Sequence, residues 1–209
     1  VGSTIPIAVG SAWGNSMKNK NKITAAFFGE GATETGVFHE SLNFAALHKI
    51  PIIFICENNQ FSVYSHLNVR QSSNRDNTKI ASGYGIHALK GDGNDVGEVY
   101  KLTKEAISII ENGNGPVYME FDTFRWLEHC GPSDDDHLGY RNEEEIKKWK
   151  EKCPVKFQEN LLLKQGIVDS QEINRLSLKL DKEILEAVNY AKSGPFAKKE
   201  LLFSTVYSN

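Results

Sequence analysis

The chain has 209 residues, 40% of them hydrophobic and 24% charged, and its formal net charge at pH 7 is −3. This composition is ordinary for a globular protein, and the acidic balance argues against nucleic acid as the main partner, because phosphate backbones select for a basic surface. No uninterrupted apolar stretch approaches the length of a membrane-spanning helix, so the sequence predicts no membrane partner, and we identify no signal peptide.

Apolar runs and helical periodicities alternate along the chain. Residues 5–17 combine small and apolar side chains in a pattern typical of a closely packed helix, and residues 36–49 repeat apolar side chains at helical spacing. Short apolar runs predict strands at residues 23–28, 52–56, 86–89 and 116–124. The first two runs are apolar on both faces, so we expect those strands to be buried on both faces. The polar segment 57–77 has little periodicity and predicts a loop.

The order of these elements predicts the fold class. Asp95, followed by Glu98, resembles a helix cap and predicts a helix between the last two strands. Strands and helices that alternate with short links predict right-handed crossovers and a parallel sheet. We therefore expect an α/β domain, a parallel sheet flanked by helices, over residues 1–141. A helical C-terminal extension over residues 142–209 is expected to pack on the same domain.

Polar residues end the first two predicted strands. Gly29, Glu30 and Gly31 follow the first strand, and Asn59 stands at the end of the second. The carboxyl ends of parallel strands share one edge of a sheet, where ligands bind. Carboxylate and carboxamide oxygens suit Mg²⁺, and the glycines would let the backbone approach a phosphate. An alternative stays open, in which the glycines only form a turn and the asparagines only cap a loop.

Three further patterns are weaker. The sequence that begins at Gly29 lacks the third glycine of the dinucleotide fingerprint, which disfavours a nicotinamide site. A second Gly-Asp-Gly is centred on Asp92, but no pair of asparagines follows it, so we interpret Asp92 as a turn residue. The three aspartates at 134–136 lack the spacing of an EF-hand and are interpreted as part of a solvated loop.

Several motifs together carry a resemblance to a known family. The motifs are Gly29-Glu30-Gly31-Ala32, Asn43-Phe44-Ala45-Ala46, Cys56-Glu57-Asn58-Asn59, Tyr118-Met119-Glu120, Thr123-Phe124-Arg125, His129, Ser133-Asp134 and Tyr140-Arg141. They resemble the thiamine-diphosphate motif of 2-oxo acid dehydrogenases, and more narrowly the alpha subunit of the decarboxylating component, as in pyruvate, acetoin and branched-chain enzymes. The resemblance covers nearly the whole chain and implies a thiamine-diphosphate-binding fold.

The resemblance also implies roles for individual residues. The metal would be Mg²⁺, held by side chains of two residues and the backbone carbonyl of a third; these are Glu30, Asn59 and Phe61. Glu30 stands where most relatives have aspartate, although branched-chain enzymes also use glutamate. The cofactor itself would be contacted by Val1, beside the aminopyrimidine ring, and near the diphosphate by Gly29, Gly31 and Ala32. His129 matches the active-site histidine of a mobile loop, where it would orient the substrate carboxylate or assist transfer to lipoamide.

The activity implied by the resemblance is oxidative decarboxylation of a 2-oxo acid with transfer of the acyl group to a lipoyl group. The implied partners are a beta subunit, in an assembly of two alpha and two beta chains, and a lipoyl-bearing acyltransferase. The glutamate that activates the aminopyrimidine comes from the beta subunit in such relatives, so we expect this chain alone to be inactive. Alternatives are a transketolase-like enzyme or non-oxidative decarboxylase with the same cofactor, and a non-catalytic cofactor-binding subunit.

Cysteine usage bears on location. The three cysteines are odd in number and widely separated, and they fit neither a zinc spacing nor a disulfide framework. This favours a reducing compartment, and we expect the cytoplasm, or the mitochondrial matrix if the source is eukaryotic. The chain opens at Val1 in the middle of a plausible element, so we expect it to be a piece whose upstream part is missing.

Overall fold

The computed structural model describes residues 1–18 and 21–204. Contacts divide the chain into two compact units, Val1–Gln158 and Glu159–Asn209. The expected boundary between residues 141 and 142 and the expected packing of the C-terminal extension on the first domain stay predictions.

The elements of the chain alternate as the sequence predicts. The strands are β1 (Thr24–Gly29), β2 (Ile52–Asn58), β3 (Phe61–Ser62), β4 (Ser65–His66), β5 (His87–Asp92) and β6 (Val117–Asp122). The helices are α1 (Thr4–Met17), α2 (Gly36–Leu47), α3 (Asn77–Gly83), α4 (Val96–Glu111), α5 (Glu143–Glu151), α6 (Pro154–Lys164) and α7 (Ser170–Ser193). Four strands form one sheet in the order β1-β2-β6-β5, and every neighbouring pair is parallel. The prediction of an α/β fold with a parallel sheet flanked by helices is confirmed.

One face of the sheet is covered by α1, α2 and α3. Ile5 of α1 and Phe38 and Leu42 of α2 are fully buried against Phe54 of β2 and Tyr118 of β6. The apolar side chains that recur at helical spacing in these helices are the ones that pack on the sheet. The buried rings make edge-to-face contacts, with the Phe38 and Tyr118 centroids 6.2 Å apart. This cluster fixes the strands whose carboxyl ends carry the candidate site.

The opposite face is covered over only part of the sheet. Ala106 and Ile110 of α4 pack with Ile53 and Ile55 of β2, and α4 contacts β5 and β6. The expectation that β1 is buried on both faces is wrong: Ala26 and Phe28 are buried, but Phe27 is 59% exposed. Apolar side chains in a strand are buried only where another element covers them. The helix on this face, α4, lies towards the other edge of the sheet. For β2 the expectation holds, since its apolar residues are all buried.

Side-chain caps start the helices near the carboxyl edge. Asp95 accepts hydrogen bonds from the backbone N–H groups of Gly97 and Glu98, at 2.8 and 3.2 Å, which confirms the predicted cap of α4. Asp92 accepts from the N–H of Asn94 at 2.8 Å, which confirms its role as a turn residue. The prediction of a loop over 57–77 is only partly right, because the short β3–β4 hairpin lies within it.

The second unit is helical. Its main element is α7, where Asp169 caps the first turn by accepting from the N–H of Glu172 at 2.8 Å. Ion pairs at i,i+4 spacing, Lys179 with Glu183 and Lys182 with Glu186, lie on its solvent-exposed surface. In the part of the chain that the structure describes, no helix is both long and apolar enough to span a membrane.

Candidate functional site

A tight helical turn carries Glu30 at the carboxyl end of β1. The chain forms a 3-10 helix over Glu30–Glu34, stabilised by a 2.7 Å hydrogen bond from the Thr33 hydroxyl to the Glu30 carbonyl. The Glu30 side chain is 1% exposed, and Ala32 and Thr33 are also buried. A carboxylate removed from water in this way requires positive charge or hydrogen-bond donors beside it. We call Glu30–Glu34 the Glu30 turn.

The segment after β2 forms the second side of the site. Asn58 and Asn59 each accept a hydrogen bond from the N–H two residues ahead, from Gln60 at 3.1 Å and from Phe61 at 2.9 Å. These contacts cap the loop after β2, as expected in the alternative in which the asparagines serve only as loop caps. The Asn59 oxygen keeps a second lone pair for another donor or a cation. Phe61 is buried, with its ring 6.1 Å from Phe124.

The hairpin that begins at Phe61 is conformationally unusual. Gln60 and Val63 have positive φ angles of 66° and 54°, a region that non-glycine residues seldom adopt. For the β-branched Val63 the conformation is strained, and a 2.6 Å hydrogen bond from Arg125 Nη2 to the Val63 carbonyl holds the turn from outside. The residues that follow Asn59 are therefore fixed by tertiary contacts rather than by local preference.

Gly31 brings the two sides together. A Cβ atom at Gly31 would lie 2.9 Å from Ser62 Oγ and 3.1 Å from Ser62 Cβ, both closer than ordinary van der Waals contact. The backbone of the Glu30 turn therefore packs directly on Ser62, and a larger residue at position 31 would force one of the two segments to shift. The approach of a phosphate to the backbone of Gly29 and Gly31 stays a prediction, because the close neighbour of Gly31 in the structure is Ser62 and a Cβ at Gly29 would meet open space.

Arg70 is a part of the site that the sequence analysis missed. Its guanidinium forms ion pairs with Glu30 through Nη2 and with Glu34 through Nη1, and its side chain is 13% exposed. Gln71 also donates to Glu34 Oε1 at 2.8 Å. Arg70 lies in a polar segment without periodicity, forty residues from Glu30, so no local pattern could have linked the two.

The donor set fits a hard cation. Among the described residues, no group of three or more His, Cys, Asp and Glu side chains could hold a metal ion, so a metal here would need amide and carbonyl oxygens as well. Glu30, Asn59 and Phe61 offer those oxygen types, and Mg²⁺ prefers them. Arg70, however, pairs with Oε1 of the Glu30 carboxylate, so a cation could use that oxygen only if the ion pair opened.

A network of buried polar side chains lies next to Asn58, at the carboxyl end of β2. Glu120 of β6 is 4% exposed and accepts hydrogen bonds from Asn58 Nδ2 at 3.1 Å, Asn77 Nδ2 at 3.3 Å and the Tyr118 hydroxyl at 2.9 Å. Lys90 Nζ lies 3.3 Å from the same carboxylate. Burial raises the pKa of Tyr118 and nearby Glu120 adds to this, so the phenol stays a donor. The network ties β2, β5 and β6 to the start of α3 and thereby positions the segment that carries Asn59.

Val1 and His129, two of the predicted site residues, are both exposed. Val1 is 95% exposed, while Gly2 lies close to Thr35, the residue after the Glu30 turn, since a Cβ at Gly2 would lie 2.9 Å from Thr35 Oγ1. His129 is exposed in a loop, and within residues 1–18 and 21–204 no hydrogen bond joins it to the Glu30 turn. The roles inferred for these residues stay predictions.

The loop that carries His129 is anchored by a buried arginine. Arg141 is 5% exposed and forms ion pairs with Asp135 and, at 2.7 Å, with Asp136. Burial and a hydrogen bond to Asp135 raise the pKa of Tyr140 to about 12. The interpretation of the aspartates at 134–136 as a solvated loop is therefore wrong for Asp135, which is 3% exposed, because Arg141, in the same segment of the chain, compensates its charge.

The fold and the site together define an α/β protein with a buried carboxylate at the carboxyl edge of a parallel sheet. The model of the dehydrogenase E1 component family matches residues 1–200. The chain therefore belongs to the dehydrogenase E1 component family.

Individual relatives agree with this assignment. The 2-oxoisovalerate dehydrogenase subunit alpha of Bacillus subtilis is 35% identical over 209 residues, which is 100% of this chain and 62% of the relative. The chloroplastic pyruvate dehydrogenase E1 component subunit alpha-3 of Arabidopsis thaliana is 32% identical, over 100% of this chain and 49% of its own length. The chain thus spans about half to three fifths of these relatives.

A comparison of structures adds little. A solved structure from Mycobacterium smegmatis, described as a candidate thiamin diphosphate-dependent enzyme, aligns with 60% of this chain and 22% of its own. The two share 23% sequence identity with a TM-score of 0.45, so the alignment supports no conclusion about this chain.

Proposed function

We propose that this chain is the cofactor-binding part of an E1 alpha subunit that acts in the oxidative decarboxylation of a 2-oxo acid with transfer of the acyl group to a lipoyl group. The observation that carries the proposal is the buried Glu30 carboxylate at the end of β1, packed through Gly31 against the segment of Asn59 and Phe61. Membership of the E1 family supports it. The names of the relatives refer to 2-oxoisovalerate and pyruvate, which suggests a small 2-oxo acid as substrate.

The proposed cofactors are thiamine diphosphate and Mg²⁺. Glu30, Asn59 and the Phe61 carbonyl would hold the metal, which would bind the diphosphate in turn. Backbone groups at Gly29, Gly31 and Ala32 would lie near the diphosphate. When bound, thiamine diphosphate supplies the carbanion chemistry that releases CO₂ from a 2-oxo acid.

The remaining roles concern orientation. Val1 would contact the aminopyrimidine ring of the cofactor. His129 would orient the substrate carboxylate or assist transfer to the lipoyl group, and its loop is held by the pair of Arg141 with Asp135. The acid that activates the aminopyrimidine would come from a beta subunit.

The proposed partners follow from the assignment of the activating acid to a beta subunit. We propose an assembly of two alpha and two beta chains that acts with a lipoyl-bearing acyltransferase, in the cytoplasm or, in a eukaryote, the mitochondrial matrix. The chain without a beta subunit is expected to be inactive. Full decarboxylase activity of the chain by itself would contradict this part of the proposal.

Calorimetric titration of the intact protein with thiamine diphosphate and Mg²⁺ tests the metal site. Glu30→Ala should weaken metal-dependent cofactor binding by at least about tenfold, since loss of even an outer-sphere partner of a metal typically costs that much. Glu111→Ala is the matched control, because Glu111 is an exposed glutamate at the end of α4. Equal affinity in Glu30→Ala and the unaltered protein would exclude Glu30 as a ligand. Aldehyde release without dependence on lipoamide would instead favour a non-oxidative decarboxylase.

A further inference from the structure

We propose that Arg70 is a counter-ion that occupies the Glu30 carboxylate in the metal-free protein and that a divalent cation must displace it to bind. This inference rests on the proposed metal site at Glu30 and adds a positioning residue to it. The consequence is that the affinity of the site for a metal is set by competition with an internal cation.

Arg70 is held to the Glu30 turn from several directions. Its Nη2 pairs with Glu30 Oε1 and its Nη1 with Glu34 Oε1, so the planar guanidinium bridges the first and last residues of the turn. Its Nε donates to the Ser65 carbonyl at 3.1 Å. Arginine presents such a fork in a fixed plane, which makes this bridge specific to its geometry.

The two carboxylates differ in how much they need Arg70. Glu30 is 1% exposed and requires a nearby positive charge, whereas the Glu34 side chain is 29% exposed and also accepts a hydrogen bond from Gln71. Glu34 can therefore keep Arg70 after Glu30 releases it. The structure thus contains both the contact that a metal would replace and a second site for the displaced guanidinium.

A cation and Arg70 exclude one another at Glu30. A Mg²⁺ ion on Glu30 Oε1 would lie within a few ångströms of the guanidinium, where two positive charges repel strongly in a site screened from water. The contact with Arg70 occupies the same oxygen. Metal binding at Oε1 therefore requires that the ion pair open, and the same event removes one of the two contacts between Arg70 and the Glu30 turn.

Binding of Mn²⁺ alone, followed by the electron paramagnetic resonance signal of free Mn²⁺, tests the inference on the intact protein with its accompanying subunits. Arg70→Gln should bind Mn²⁺ at least about tenfold more tightly than the unaltered protein, because the competing charge is gone. Arg70→Lys keeps the charge without the fork and should lie between the two. Arg175→Gln is the matched control and should change nothing, since it removes an exposed ion pair with Glu172 in α7.

A structural role alone would give a different result. If Arg70 only braces the loop, Arg70→Gln would lower the melting temperature and leave Mn²⁺ affinity equal or weaker, which overturns the inference. If Arg70→Gln does not fold, Glu34→Gln replaces it. This variant removes the second site for the displaced guanidinium and should weaken Mn²⁺ binding. Unaltered Mn²⁺ affinity in Glu34→Gln also overturns the inference.

Glu30→Ala separates this inference from the proposed function. Loss of Mn²⁺ binding in Glu30→Ala, with equal affinities in Arg70→Gln and the unaltered protein, overturns the role of Arg70 and leaves the metal site intact. Mn²⁺ binding that Glu30→Ala does not change overturns the metal site and the inference together. Tighter binding in Arg70→Gln that Glu30→Ala abolishes supports both.

Discussion

Gly31→Ala is expected to destabilise the first unit by forcing the Glu30 turn away from β3. The new Cβ would lie 2.9 Å from Ser62 Oγ and 3.1 Å from Ser62 Cβ. The hydroxyl can rotate away, but the Cβ of Ser62 moves only with its backbone, so the two segments must separate by a few tenths of an ångström. Overpacking of this kind costs roughly 1–3 kcal/mol of the free energy of unfolding.

The assay is urea denaturation followed by far-ultraviolet circular dichroism. Gly29→Ala is the matched control, because its Cβ would meet open space and its backbone, with φ −76° and ψ 160°, suits any residue. We expect Gly29→Ala to stay within about 0.5 kcal/mol of the unaltered protein. For Gly31→Ala the melting temperature should fall by about 2–4 °C for each kcal/mol lost.

A second substitution identifies the cause. Ser62→Gly removes both close contacts, so Gly31→Ala should cost less in the Ser62→Gly background than in the unaltered protein. The coupling between the two sites should reach about 0.5 kcal/mol or more, as it does for residues in contact. Additive effects, or a Gly31→Ala variant as stable as Gly29→Ala, would refute the packing of the Glu30 turn on β3.

Other expectations concern a cap, the thiols and alkaline pH. Asp95→Ala should lower the free energy of unfolding by about 0.5–2 kcal/mol, because two N–H groups of α4 lose their acceptor; an unchanged urea midpoint would contradict this. In native protein a thiol reagent should modify exposed Cys130 and spare Cys56, whose pKa is raised by burial, until denaturant is added; prompt labelling of Cys56 would contradict its burial. For Lys90, burial lowers the pKa but Glu120 and a neighbouring aspartate outweigh it, so the net pKa is raised above 10.5. The charged Lys90 therefore stabilises the folded protein below pH 10.5, and this contribution is lost as the pH rises through the raised pKa of the folded state. Lys90→Met should therefore show a smaller decline in the free energy of unfolding above about pH 10.5, measured by denaturation.

The sequence allowed the strands and the placement of Glu30 and Asn59 to be predicted, because apolar runs that end in polar residues are local signals. The same reasoning failed for Phe27, which is as apolar as its buried neighbour Phe28 but lies on the uncovered side of β1. Whether a face is covered depends on where α4 packs, and this is a tertiary property.

Charge compensation was the other limit of prediction. Asp135 and Glu30 are buried because Arg141 and Arg70 compensate their charges, Arg141 from the same segment and Arg70 from forty residues away. A single sequence gives no pattern that pairs such residues. The contact between Gly31 and Ser62 was missed for the same reason, since it joins two segments that no local pattern relates.

The strained turn at Val63 has a consequence for sequence change. Glycine or asparagine at this position would adopt a φ of 54° at lower cost and would raise stability, so substitution towards either residue is favoured whenever stability alone is selected. The same change would widen the range of conformations open to the hairpin and leave Phe61 less precisely placed. At residue 63, selection for stability and selection for a precisely placed Phe61 therefore favour different amino acids.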